Sequence, residues 1–318
     1  MKKFSYLFLM LVLALTLVVG CSNDEKSNDS GKEENTEQTN ESSFPVTIKD
    51  SSDTEVVIEK KPERIISVLP SMTEITFALE LDEQIVGVTE LDNYPEAALE
   101  KEKVGDFVLN IEKIISLEPD LVLADESNDL EAIKQLRDSN ITVLVLETPE
   151  DFTGVYSVID TVAKATGTTK KADEITSGME KSLASLEEKV AEIEDVKHVY
   201  VEISPSPETY TTGSGTFVDT ILKKINAENS AGNLEGWLEV NEEAVIEMNP
   251  DVIITTYGSY VEDPLKEITD RSAWKDITAV KEKQIFDVNE DLVSRPGPRL
   301  VEGAEELAKA IYPDLFAN

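Results

Sequence analysis

The feature that most limits how this chain can fold is a unit that occurs twice, once on each side of a long uninterrupted helical stretch. Phe107 stands ahead of NIEKIISLEPDLVLA, and Trp237 stands ahead of LEVNEEAVIEMNPDVIIT. Each copy runs from an aromatic residue through a helical segment to a Pro-Asp break, at Pro119-Asp120 and Pro250-Asp251, and then into a β-branched run. Proline disfavours helix in the residue before it, and a short apolar run suits a strand covered on both faces. Two such units in corresponding positions predict two lobes of similar construction with a cleft between them.

The rest of the pattern agrees. Strands are expected at 64–68, 85–89, 121–124 and 141–146, with helices near 72–79, 111–117, 129–138 and 151–165. Strand and helix alternate in this way in mostly parallel sheets with helices on both faces. Residues 168–195 then carry Ala172, Ile175, Met179, Leu183, Leu186, Val190 and Ile193 on one helical stripe. That spacing predicts a single helix of roughly 40 Å at 1.5 Å per residue, a strut between the lobes. Alternation restarts at 197–203, with helices near 215–225, 242–248 and 265–271, strands at 252–256 and 284–288, and a last helix at 299–311.

The amino-terminal segment decides location. Met1-Lys2-Lys3 precedes an apolar run from Phe4 to Val19, which ends in Val18-Val19-Gly20-Cys21. The run is shorter than the roughly 20 residues needed to span hydrocarbon, and its flanks are those of a secretory leader. Cys21 is the chain's one cysteine, so no disulfide partner competes with lipidation there. Residues 22–43 lack any aliphatic or aromatic side chain and cannot bury enough surface to order themselves. They read as an acidic tether with a reach of roughly 25 Å. The expected divisions are 1–20 leader, 21–43 lipidated Cys21 and tether, 44–166 N-terminal lobe, 167–195 linking helix and 196–318 C-terminal lobe. The expected place is the outer face of the cytoplasmic membrane.

Net charge is −36, and loss of Lys2 and Lys3 with the leader takes it to −38. A surface of that sign repels nucleic acid. One histidine, His198, and no further cysteine remove most routes to a metal or haem centre, so no cofactor is expected. Ser204-Pro205-Ser206 and Gly213-Ser214-Gly215 look nucleophile-like but have no histidine base in reach of the pattern, which argues against an enzyme.

Five stretches give the chain a resemblance to a known family: RIISVLPSMTEITFALEL (64–81), IVGVTELDNYP (85–95), VGDFVLNIEKIISLEPDLVLA (104–124), AWKDITAVKEKQIFDVN (273–289) and SRPGPRLVEGAEELA (294–308). With the strut between them, it resembles the substrate-binding receptors of ABC importers for cobalamin and iron-siderophores. The resemblance implies an α/β fold of two similar lobes, each a mostly parallel sheet with helices on both faces, joined by one long helix. It also implies capture of a small molecule, delivery to an ABC permease and through it to a cytoplasmic ATPase, and a monomer held at the membrane by lipid.

The positions matching the family's cleft walls are Tyr94, Phe107, Tyr210, Trp237 and Tyr257, with Arg295 opposite. Permease docking falls to Glu74 and Glu228. Ser71 and Glu74 also have the spacing of a capping box, which would turn Glu74 outward at a helix start. Five aromatic residues suit a flat macrocycle, since each buries about 150–250 Å² with few rotamers to lose. An anionic ferric siderophore would call for several arginines, and of the five in the chain only Arg295 matches a cleft position. Cobalamin or a related corrinoid or metal chelate is therefore the expected ligand, with a ferric siderophore as the alternative and a nitrogenase-like or chelatase-type metal enzyme a more distant one.

Overall fold

The computed structural model describes residues 44–317. The leader, Cys21 and the tether lie outside the described residues. The folded elements belong to one compact unit, Asn40–Asn318.

The first lobe is built on five parallel strands: β3 (Ile65–Ser67), β4 (Ile85–Val88), β5 (Glu102–Lys103), β6 (Leu121–Asp125) and β7 (Val143–Leu146), in the order β5-β4-β3-β6-β7. Strand periodicity of two sends alternate residues to opposite faces. Ile65, Leu121, Leu123, Leu144 and Leu146 pack with Met72 and Ile75 of α1 (Pro70–Ala78), with Leu79 just past its end, and with α4 (Phe152–Thr166). Ile66, Val122, Ala124, Val143 and Val145 face the other way, onto Ile114 of α2 (Ile111–Ser116) and Ile133 and Leu136 of α3 (Leu130–Asp138). The apolar runs of β4, β6 and β7 are what two covered faces require.

A hairpin of β1 (Val46–Lys49) and β2 (Glu55–Ile58) precedes this sheet and adds Val46, Ile48, Val56 and Ile58 to the same core as α4. The element pattern from residue 64 onward gave no notice of it.

The linking helix, α5 (Thr169–Val190), buries Ala172, Met179, Leu183, Leu186 and Val190, the stripe expected of it. It is shorter than the expected 168–195. The carbonyls of Val190 and Ile193 accept from the Asn226 side chain at 3.2 Å each, so a neighbouring loop caps the end and the chain turns into β8.

The second lobe has β8 (His198–Ser204), β12 (Val252–Thr255) and β13 (Ile285–Asp287) in parallel, with β10 (Glu228–Asn229) parallel to the start of β8. Two antiparallel strands, β9 (Tyr210–Thr212) and β11 (Trp237–Glu239), extend the edge. Val199, Val201, Val252 and Ile254 share a core with α6 (Phe217–Lys224), the linking helix and the final helix. Tyr200, Ile253 and Ile285 pack on Val245 of α7 (Glu242–Met248), Ile268 of α8 (Pro264–Thr269) and Trp274, and α9 (Thr278–Glu282) adds Ala279 to that cluster. The chain closes with α10 (Glu290–Ser294) and α11 (Leu300–Ile311). Two α/β lobes joined by one long helix are thus the architecture, the second sheet being mixed at its edge.

Candidate functional site

Where the lobes meet follows from which strand ends are tied together. The segment after β4 in the first lobe bonds the segment after β13 in the second: Asn93 Nδ2 donates to Asp291 Oδ2 at 2.9 Å, and Arg295 Nη1 donates to Asn93 Oδ1 at 2.7 Å. The carboxyl ends of both parallel sheets therefore face each other across the cleft, the place where open α/β sheets bind ligands.

Glu74 stands at the centre of this junction. Arg299 donates from Nε to Oε2 at 2.8 Å and from Nη2 to Oε1 at 2.6 Å, and Arg295 Nη1 reaches Oε1 at 3.1 Å. Arg295 also pairs with Asp291 at 2.8 Å, and the Arg299 guanidinium lies 3.7 Å over the Tyr94 ring. Burial works against the Arg299 charge, but the paired Glu74 outweighs it, so its pKa is raised. A cavity of about 340 Å³ opens here, lined by Glu74, Phe77, Tyr94, Pro95, Pro298 and Arg299.

The loop that presents Asn93 and Tyr94 is fixed by Asp92, whose Oδ2 accepts from the Thr89 backbone at 2.7 Å and the Thr89 hydroxyl at 2.5 Å. Burial raises the Asp92 pKa against these bonds. The next loop turns at Gly105, with φ +109° and no room for a Cβ, which would sit 2.3 Å from the Val108 carbonyl oxygen. That turn holds Phe107 outward at 85% exposure. In the second lobe Tyr210 Nα donates to Ser204 Oγ at the end of β8, and Trp237 on β11 is 52% exposed. Aromatic surface thus comes from both lobes.

Three expectations are corrected by this geometry. Tyr257 is 0% exposed and is not a cleft wall: its hydroxyl donates to Glu202 at 2.7 Å, beneath the surface, where Arg271 binds both oxygens of the same carboxylate at 2.7 Å. Burial, then the Glu202 charge, raise the Tyr257 phenol far above its ordinary range. The exposed tyrosine of that loop is Tyr260, although TTYGSY offers both and nothing local in it tells them apart. Asp287 pins the loop by accepting from Thr255 Oγ1 at 2.7 Å and the Gly258 backbone at 3.1 Å.

Glu74 does not face outward either. It is 4% exposed, its helix begins two residues earlier with Pro70 in the first turn, and Ser71 Oγ makes no capping bond. A carboxylate held by two guanidiniums offers no free charge to a permease. Arg295, likewise, is matched by Glu74 and Asp291 and is not a free cation for ligand.

Glu228 is exposed, with its carboxylate 3.8 Å from His198 Nδ1 at the amino end of β8, beside a concavity of about 720 Å³ lined by Asp219, Lys223, Asn229 and Leu234. The acids that the repeated unit makes equivalent are Glu112 on α2 and Glu243 on α7. Both are exposed in the first turn of the helix that follows an exposed aromatic, Phe107 or Trp237. The internal repeat was the signal that could have found them.

The family described as periplasmic binding protein matches residues 65–292, most of the folded chain. This chain belongs to that family. As a periplasmic binding protein it shares 44% identity over 321 residues, 99% of each chain, with the uncharacterized ABC transporter substrate-binding lipoprotein YvrC of Bacillus subtilis (strain 168). It is 26% identical over 279 residues to a cobalamin-binding protein of Halobacterium salinarum (strain ATCC 29341 / DSM 671 / R1), covering 85% of this chain and 75% of that one. Among solved structures it superposes on a possible iron-binding, periplasmic solute-binding protein of Staphylococcus epidermidis ATCC 12228 with a TM-score of 0.72 and 35% identity, covering 80% of this chain and 100% of that one. The periplasmic binding protein is accordingly the solute-capturing component of an ABC transporter, a transport component and not an enzyme.

Proposed function

We propose that the protein is a lipid-anchored receptor that captures cobalamin or a related corrinoid in the interlobe cleft and delivers it to an ABC permease. The observation that carries this reading is the set of exposed aromatic rings contributed by both lobes, Tyr94 and Phe107 from one and Tyr210, Trp237 and Tyr260 from the other. A broad flat ligand can be covered from two sides by such rings, each supplying large contact area at little entropic cost. The relative named as cobalamin-binding supports the choice. The solved structure described as possibly iron-binding favours a ferric chelate as the second reading.

Anchoring rests on Cys21 at the end of the leader and on the lipoprotein name of the 44% identical relative. Held by a tether of this length, the receptor meets its permease at an effective concentration of about millimolar order, so weak contacts suffice. Docking is proposed at Glu112 and Glu243, which flank the cleft mouth on equivalent helices, in place of Glu74 and Glu228. The ligand assignment is tested by the native mass spectrum of receptor purified from cells with its cargo. A corrinoid mass is expected, and the mass of a ferric siderophore would overturn the choice.

A further inference from the structure

Charge is distributed unevenly around the cleft. The segments at the carboxyl ends of the parallel strands, 89–95, 104–110, 126–129, 147–151, 205–209, 256–263 and 288–295, contain no lysine and a single arginine, Arg295. They do carry Glu90, Asp106, Glu126, Glu208, Glu262 and Glu290, all exposed. Of the other arginines, Arg64 binds the Leu117 and Glu118 carbonyls, Arg137 binds Asp50 and Arg271 binds Glu202. Only Arg295 and Arg299 stand at the lobe junction. Both are spent on Glu74, and Arg295 on Asp291 as well, so two cations and two anions form a cluster of no net charge.

We infer that Glu74 determines the charge selectivity of the cleft: by occupying Arg295 and Arg299 it withdraws the junction's cations from the ligand, so the receptor rejects carboxylate- or catecholate-bearing ligands and admits neutral or cationic ones. Side-chain exposure of 3% for Glu74, against 16% and 13% for its partners, places the pairing where water screens it poorly. With that carboxylate present, an incoming anion meets an acidic rim and no unpaired guanidinium. Two flat macrocycles of similar outline, a corrinoid with amide arms and a porphyrin with carboxylate arms, would then be separated by charge. Glu74 acts through the two arginines and is a positioning residue.

The inference rests on the reading of this cleft as the ligand site, and its test keeps the two apart. Full-length mature wild type, Glu74→Gln and Asp291→Asn are titrated with cyanocobalamin, with metal-free protoporphyrin, whose two carboxylates supply charge without axial ligation, and with a ferric tris-catecholate. Wild type should show no saturable binding of either anion. Glu74→Gln should raise the association constant for both anions by at least about tenfold, a gain that shrinks as salt is added. A purely structural role would weaken every ligand together and create no new one. Thermal unfolding shows whether each variant folds; should Glu74→Gln fail, Asp291→Asn, which frees one arginine from its more exposed partner, decides the matter through a smaller gain in the same direction. Folded variants whose anion binding stays at the wild-type level, or a wild type that binds the anions tightly, overturn the inference. Loss of the corrinoid reading alone would appear as absent cyanocobalamin binding in wild type with the anion gain in Glu74→Gln intact.

Discussion

Arg299 grips Glu74 through two nitrogens, at 2.8 and 2.6 Å, and the two residues come from opposite lobes. Breaking a buried pair leaves an uncompensated charge, which costs about 3–5 kcal/mol. Arg299→Gln should therefore lower the stability measured by urea unfolding by about 3 kcal/mol, toward the lower end because Arg295 remains with Glu74. The double variant Glu74→Gln/Arg299→Gln should lose less than the sum of the two single changes. Strict additivity would mean that the pair does not couple the lobes.

Buried Tyr257 and exposed Trp237 separate fold from site. Tyr257→Phe removes a hydrogen bond to the buried Glu202 carboxylate and should cost about 1–3 kcal/mol in stability. Trp237→Ala should leave the melting temperature nearly unmoved and weaken ligand binding by about 2 kcal/mol, or roughly thirtyfold. Calorimetry on both variants checks the contrast, and reversed effects would place Tyr257 in the cleft after all.

Asp92 gives a pH signature. Burial raises its folded pKa above the unfolded value, so its stabilising contribution is complete below the unfolded pKa near 3.8 and falls as pH rises through the folded one. Asp92→Asn has no such ionisation. The melting temperature of the variant relative to wild type should become more favourable as pH is raised from acid toward neutrality. A difference independent of pH would mean that Asp92 ionises freely in the folded protein.

Much of this was legible beforehand because the strong signals are local. The β-branched runs and the stripe from Ala172 to Val190 report their own burial through period two and period 3.6. The first hairpin carries the same alternation in Val46, Ile48, Val56 and Ile58, but four-residue strands around a Ser-Ser-Asp-Thr turn are hard to tell from loop. The fate of Arg295 was not readable at all. Its partner Glu74 lies 221 residues away, and only the meeting of two lobes brings them together. Tyr257 and Tyr260 are equally aromatic in sequence, and which of them turns inward is set by Glu202 and Arg271 on other elements. At Glu74 the local capping pattern pointed outward and tertiary pairing overrode it.

Docking has its own prediction. Glu112→Lys and Glu243→Lys, exposed and outside the ion cluster, should abolish cellular uptake of ligand while purified receptor still binds it. Glu228→Lys, at the opposite end of the second sheet, should transport normally. Uptake lost with Glu228→Lys and kept with the other two would return docking to the sequence-based assignment.

The central claim is that this cleft holds a corrinoid, and Trp237 offers the most direct probe. It is exposed, whereas Trp274, the other tryptophan of the chain, is fully buried. Titrating cyanocobalamin into the mature receptor should quench the Trp237 emission saturably, with one ligand per chain and a Kd at about micromolar or below. Emission that does not change with cyanocobalamin but is quenched to saturation by a ferric hydroxamate would contradict the account.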